Sequence, residues 1–247
     1  MSNNWPEGVA RRVLPEIDST NAEAARIAPG LSGPCWILAL RQTQGRGRRG
    51  RDWRDPAGNF AATYVSRPGG PPEQVAQRSF VAALALRDAL VTVTARPEGF
   101  ALKWPNDVLL NGGKLAGILL ESVGQGAQVS HLAVGIGVNL LHAPAAEDGA
   151  LRPVSLLSET GMSVTPEEFL DVLAPAFAHW EGQLVTYGFA PVRQAWMNGA
   201  ARLGERIIAR TVLDSHEGTF EGIDATGALM LRTAQGRRTI PAADVFF

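Results

Sequence analysis

Residues 132–139 alternate strictly between bulky and bare. Leu132, Val134, Ile136 and Val138 fall on one side of an extended chain, and Ala133, Gly135, Gly137 and Asn139 on the other. Such a segment demands a sheet with one face sunk in a core. The opposite face is almost free of side chains and ends in an amide. Glycine weakens a strand, so two in alternation mark a close approach to the backbone, by a ligand or by a packed helix. Both readings stay open on this pattern.

The flanking sequence predicts an α+β fold, a mixed sheet packed with helices. Strands are expected at 11–14, 35–40, 59–66 and 100–104, the last stopped by Pro105, which lacks a donor. Segments 107–110 and 114–121 flank Asn111-Gly112-Gly113, a hairpin signature, and Gln125-Gly126 predicts the turn before a strand at 129–140. A helix is expected from Thr20, as N-cap with Glu23 completing a capping box, to about Ala28. Its N-terminus reads either as a well-capped helix end or as a donor-rich anion site beside Ser19 and Thr20.

One long buried helix is expected over 73–93, just after Pro72, followed later by a helical turn at 155–160. Thr165-Pro166-Glu167-Glu168 opens a helix to Tyr187 with an apolar stripe of Phe169, Leu170, Leu173, Phe177, Trp180 and Leu184. Another helix is placed at 191–197. From Leu203 the pattern changes to short strands at 205–210, 217–223, 228–231 and 238–240, a small barrel-like module too small to stand alone. The expected division is a catalytic domain over 1–200 and a C-terminal module over 203–247.

Into this frame the chain inserts Gly45-Arg46-Gly47-Arg48-Arg49-Gly50-Arg51, with Trp53 close behind. Arginine forks match carboxylate and phosphate geometry, and the glycines allow close backbone approach. The segment cannot build a core, so it reads as a mobile loop awaiting an anion. The net charge of −1 makes it a local feature and argues against a general nucleic-acid coat or a membrane-surface protein. Among 23 basic residues only Lys103 and Lys114 are lysine. They are either survivors of a compositional drift or sites that need a compact ammonium.

Other chemistries lack their motifs. There is no phosphate loop, zinc-protease helix, paired C-x-x-C or nucleophile elbow, and the four His residues are scattered. The single Cys35 excludes an intrachain disulfide framework. No signal-like segment or membrane-length apolar run is visible, and the expected location is the cytoplasm. What remains is cationic and glycine-rich. It suits bringing two anions together, as when a carboxylate attacks the α-phosphate of ATP. Mg²⁺ would help neutralise the phosphates, and a closing loop would shield a labile acyl-adenylate.

Four segments in order carry a resemblance: Gly45 to Arg51 with Trp53; Lys103-Trp104-Pro105-Asn106-Asp107; Lys114-Leu115-Ala116-Gly117-Ile118-Leu119; and Gly135-Ile136-Gly137-Val138-Asn139. Together they resemble the biotin–protein ligases, and the C-terminal module resembles that family's SH3-like domain. The resemblance implies a class II synthetase-like catalytic domain and a two-step reaction. Biotin and MgATP give biotinyl-5′-AMP, and a lysine of a biotin carboxyl carrier protein, of acetyl-CoA carboxylase or a related carboxylase, then takes the biotinyl group.

By the same resemblance, Ser19, Thr20 and Gln42 would hold the ureido end of biotin. Gly45, Arg46 and Arg48 would belong to the loop that closes over biotin and the adenylate, with Trp53 shielding the site. Lys114 would contact the biotin carboxylate and the reacting phosphate, and Lys114 and Arg48 would act in catalysis. Gly117 would line the biotin pocket, and Arg51 and Asn139 would serve the nucleotide. The module would assist ATP or carrier binding. No metal ligand is assigned.

The resemblance allows a homodimer. The short segment before residue 11 leads to an expectation of no DNA-binding domain and no operator DNA. A lipoate–protein ligase is the alternative within similar chemistry, and a nucleic-acid binder using the arginine loop is the alternative outside it. Lys114 and Gly117 have opposite parity in a regular strand. Both reach one ligand only if the strand twists, bulges or offers its backbone.

Overall fold

A computed structural model describes residues 4–54, 56–125, 128–146 and 151–247. The turn expected at Gly126, and residues 147–150 of the loop after the alternating strand, lie outside them. In chain order the elements are β1 (Ala10–Leu14), α1 (Thr20–Ile27), β2 (Cys35–Ala39), β3 (Phe60–Ser66), α2 (Pro72–Ala76), α3 (Arg78–Thr94), β4 (Phe100–Lys103), β5 (Asp107–Leu110), β6 (Gly113–Gln125) and β7 (Gln128–Val138). They continue as α4 (Leu156–Thr160), α5 (Pro166–Tyr187), α6 (Phe189–Asn198), β8 (Arg206–Arg210), β9 (Ser215–Ile223), β10 (Leu229–Thr233), β11 (Gly236–Ile240) and β12 (Asp244–Phe246).

Seven strands form one mixed sheet in the order β1-β2-β3-β7-β6-β5-β4. Only the β1–β2 pair is parallel. The hairpin between β5 and β6 turns at Asn111 and Gly112, whose φ values of 49° and 78° are the left-handed pair that a tight hairpin turn requires. The bulky side of β7 meets α3 and α5 in the main core. There Trp36 and Phe60 lie edge-on to Phe177 and Phe169, with centroids 5.4 and 5.0 Å apart. The α5 stripe packs as expected, and its Thr165–Glu168 capping box is formed.

Along one edge the bare side is covered by α1. Ala24 and Ala28 let this helix settle on Cys35, Ile37, Val65 and Ala133. The body of the helix stops at β7, only the Asn21 side chain reaches β6, and the rest of that face is left uncovered by α1.

Three expectations need correction. Ser19, not Thr20, is the N-cap of α1, and no side-chain cap forms. Thr20 instead donates its backbone N–H and its hydroxyl to Gln42 Oε1, at 2.9 and 3.1 Å, because a parallel bridge from Ile17 to Gln42 carries that amide alongside. Glu23 pairs with Arg26 rather than with the helix N-terminus. The single helix over 73–93 is two, α2 and α3. Pro72 is the first residue of α2, where its missing N–H is no loss, and backbone bonds from Gln77 to Gln74 and from Phe80 to Gln77 tighten the joint.

The C-terminal sheet, finally, has five strands in the order β11-β10-β9-β8-β12, one more than the pattern predicts. The extra strand has three residues, too few for an alternation to show. This sheet is fastened to the rest of the chain by the Trp104 indole N–H, which donates to the Gly227 carbonyl at 3.0 Å, and by Arg193 Nε on the Ile223 carbonyl at 2.6 Å.

Asp18 anchors the start of α1 to its end through two bonds from Arg26, at 2.7 and 2.9 Å. That guanidinium, with the Ser19 N–H second, holds the Asp18 carboxyl at about 2 against an ordinary 3.8. The unfolded chain therefore binds more protons in this window. The contribution is complete above 3.8 and disappears as pH falls through about 2. Both side chains are substantially exposed, so solvent and salt screening keep the pair's contribution small. Urea unfolding should show Asp18→Asn slightly less stable than wild type at neutral pH, with the two converging towards pH 2. A difference that persists at acid pH would contradict this assignment.

Candidate functional site

The uncovered part of the bare face floors a cavity of about 580 Å³. Its floor is made by glycines. A Cβ on Gly135 would collide with the side-chain amide of Asn21 from α1, and one on Gly137 would collide with the indole of Trp53. Of the two open readings of the alternating strand, the structure bears out the packed helix in part. A helix does approach closely at Gly135, and at Gly137 the approaching group is the aromatic ring that follows the arginine loop.

The parity conflict between Lys114 and Gly117 is resolved by a β-bulge. In the β5–β6 pair Val108 faces Ala116 while Leu109 faces Lys114, so Leu115 is extra. The slip turns Lys114 to the side of Gly117. A Cβ on Gly117 would lie 3.7 Å from Lys114 Nζ and 3.2 Å from the Trp53 ring. The two lysines share one carboxylate, with Asp107 2.8 Å from Lys114 Nζ and 3.7 Å from Lys103 Nζ. The shorter contact is an ion pair whose geometry leaves Asp107 Oδ1 without an aligned hydrogen bond. Lys103 is 8% exposed. Burial pushes its pKa down, Asp107 opposes that push, and Lys114 adds to it.

The arginine loop folds back on itself. Gly47 N–H donates to the Arg51 carbonyl at 2.7 Å and Trp53 N–H to the Gly45 carbonyl at 2.9 Å, with a 3-10 turn at Arg48–Gly50 between them. Gly45 does not line the cavity. It lies against the Trp53 carbonyl where no Cβ fits, so it shapes the loop that carries the indole. Each end of the loop is tied to a different part of the chain. Arg46 reaches Glu121 at 3.3 Å, and Arg48 donates to Asn106 Oδ1 at 3.2 Å. Asn106 in turn donates to the Ile118 carbonyl of β6 at 2.7 Å. Arg48 is desolvated enough to lower its pKa, with Asp244 the main opposing charge.

At the α1 end, a polar network joins the predicted Thr20 and Gln42 to residues that the pattern does not single out. The Thr63 hydroxyl, fully buried on β3, lies within hydrogen-bond distance of Thr20 Oγ1, at 2.8 Å, and of Asn21 Oδ1, at 2.6 Å, and its single proton can serve one of them at a time. Asn21 donates to Glu121 at 2.7 Å, which links the α1 end to Arg46.

Ser19, Thr20, Gln42, Arg46, Arg48, Arg51, Trp53, Lys114, Gly117 and Asn139 all line the one cavity. Asn139 is buried and donates to the Val154 carbonyl at 3.1 Å, which holds the chain after the strand against the cavity. Among the described residues the buried Trp53 indole N–H has no hydrogen-bond partner. The sequence reading missed Asn21, Thr63 and Glu121, and it missed Asp244, which lines the wall on the unforeseen β12. Asn106 and Asp107 stand in a quoted segment but had no role assigned. Chemically, the cavity offers a neutral hydrogen-bonding end, an aromatic roof over glycine, and a cationic end built from Lys114, Lys103 and the loop arginines.

Residues 13–139 match the biotin/lipoate A/B protein ligase family, and residues 203–247 match the biotin protein ligase C terminal domain. A biotin–[acetyl-CoA-carboxylase] ligase of Paracoccus denitrificans is 63% identical over 95% of this chain and 99% of its own length. The bifunctional ligase/repressor BirA of Bacillus subtilis is 30% identical over 85% of this chain but 65% of its own length. Among solved structures, a biotin protein ligase from Aquifex aeolicus in complex with biotin and ATP aligns at a TM-score of 0.81 and 26% identity. The alignment covers 96% of this chain and 97% of that one.

The glycine floor is testable without any ligand. Gly137→Ala places a methyl where the indole lies, an overpacking that should cost about 1–3 kcal/mol or expel the ring. Quenching of tryptophan fluorescence by acrylamide should rise in Gly137→Ala and fall back in Gly137→Ala combined with Trp53→Phe, which removes the displaced indole. A seated, unquenched indole in the single variant would refute the contact.

Proposed function

The chain belongs to the biotin/lipoate A/B protein ligase family, and from that premise we propose that it activates biotin with ATP and transfers it to a lysine of a biotin carboxyl carrier protein. The observation that carries the reading is the convergence of Lys114, Arg48 and Trp53 over the glycine floor, with Ser19, Thr20 and Gln42 at the opposite end. A long ligand with a polar ring system at one end and a carboxylate at the other matches that polarity.

In the first step a biotin carboxylate oxygen attacks the α-phosphorus of ATP and pyrophosphate leaves. Two anions must meet, and negative charge gathers at phosphorus. Lys114, on the bulge beside Gly117, is the proposed counter-charge to both the carboxylate and the phosphate. Asp107 would hold its ammonium in place, and Lys103 would add a second buried positive charge behind it. Arg48, steadied by Asn106, would close over the reacting groups, and Trp53 would cover the acyl-adenylate against water. Arg51 and Asn139 would face the nucleotide. In the second step the carrier's lysine amine attacks the acyl carbon, an amide bond forms, and AMP departs with the bonding electron pair.

Among the described residues no group of three or more His, Cys, Asp or Glu stands ready to cage a metal. The proposal has Mg²⁺ arrive on the ATP phosphates, since this ion commonly keeps several waters and takes few protein ligands. The proposal divides the chain into a catalytic part over 1–200 and a module over 203–247 that aids nucleotide or carrier binding. It assigns no DNA partner. No described helix is long and apolar enough to cross a membrane. The proposal also assigns the reaction to the cytoplasm. Lipoate is the competing acid, since the family embraces both kinds of ligase.

Incubation with MgATP, an apo carrier domain and either biotin or lipoate decides between them by the mass gained by the carrier. Biotinylation is expected, and lipoylation without biotinylation would overturn the reading. Lys114→Ala should lower biotin-dependent pyrophosphate release by about 10²–10³-fold while circular dichroism stays native. Undiminished release would remove Lys114 from the reaction.

A further inference from the structure

One carboxylate of the C-terminal sheet stands within reach of three loop arginines. Asp244 Oδ2 lies 2.7 Å from Arg49 Nη1 and 3.2 Å from Arg51 Nη2, and Asp244 Oδ1 lies 3.7 Å from Arg48 Nη1. The Asp244 side chain is only 20% exposed. It starts β12, where it sits opposite Arg210 of β8 in a regular antiparallel register, and Arg210 in turn stacks over Phe246 at 4.7 Å. The carboxylate is thus fixed on a strand, while the guanidinium groups ride on a loop.

The charges do not balance. Three guanidinium groups crowded on a short loop repel one another within a screening length of ~8 Å. A single carboxylate draws them together yet neutralises only one, so the gathered cluster keeps a positive surplus. Lys103, near enough to feel Asp244 electrostatically, adds to that surplus at the cavity end. Such a cluster is an anion site assembled before its anion arrives, and assembly beforehand reduces the ordering cost of binding.

We propose that Asp244 is a positioning residue. It gathers Arg48, Arg49 and Arg51 into a preformed site for the ATP phosphates, and it lets the C-terminal module hold the arginine loop closed over the acyl-adenylate. This inference rests on the ligase function proposed above and specifies how the module takes part in it. The opposite role is physically distinct. If Asp244 merely occupied the arginines in competition with phosphate, its removal would tighten ATP binding.

The test is steady-state kinetics of the full chain with Asp244→Asn, Asp244→Glu and Arg49→Gln, together with chromatography of biotinyl-AMP set free in solution. Asp244→Asn should raise the KM for ATP on the order of tenfold, leave the KM for biotin within about twofold, and increase free biotinyl-AMP relative to biotinylated carrier. Asp244→Glu should restore much of both effects. Arg49→Gln should shift the same KM in the same direction, and adding it to Asp244→Asn should change little further.

If Asp244→Asn does not fold, Arg49→Gln and Asp244→Glu still report, because one lies on the loop and the other keeps the charge. A KM for ATP that is unchanged or lower in Asp244→Asn, or in Arg49→Gln where only that variant can be assayed, would overturn the inference. So would equal shifts for ATP and biotin, which a general loss of structure would give. Wild type that forms no biotinyl-AMP would instead refute the ligase reading itself.

Discussion

The site depends on a sheet that withholds its side chains. Gly117, Gly135 and Gly137 let an amide of α1 and the ring of Trp53 lie directly on the backbone of β6 and β7. The bulky sides of the same strands fill the main core, so the floor cannot shift without disturbing Phe60, Val138 and the helices beneath. Rigidity below and emptiness above come from one alternation. A cavity built this way has a firm base, and its variable parts are confined to the loop above it and the C-terminal sheet at its wall.

The electrostatic layout follows from where each charge is mounted. Asp107 begins β5, and its two lysine partners come from the end of β4 and the bulge of β6, so this cluster is fixed by strand pairing. The arginines come from a loop whose only regular features are a few backbone bonds and a single turn. Their positions are set by what they touch, namely Glu121, Asn106 and Asp244. The fixed cations suit the reacting centre, and the movable ones suit entry and retention.

Much of this was legible in the residues and some was not. The alternation at 132–139, the hairpin turn at Asn111-Gly112 and the capping box at Thr165 each rest on local rules, and they appear in the fold in the expected form. Thr20 misled because its hydroxyl and N–H are claimed by Gln42, a partner brought in by strand pairing rather than by sequence proximity. Gln77 broke the expected long helix without a proline or glycine to announce it. β12 escaped because three residues cannot display a period, and with it went Asp244, whose significance exists only in relation to a loop nearly two hundred positions earlier. The bulge at Leu115 could be anticipated as a need, from the clashing parity of Lys114 and Gly117, but not as a particular geometry.

The scarcity of lysine acquires a different meaning once both lysines are placed. A ligase that makes an activated acyl group carries a reagent able to acylate any neutral amine it meets. Here one lysine is buried, and both are turned towards the same carboxylate, while the surface cations are guanidinium groups that stay protonated and do not attack. Under the proposed reaction the chain has no lysine outside the cavity for escaped intermediate to label. Its charge composition would then act as chemical self-protection, directing the acyl group outward to the amine of the protein that is meant to receive it.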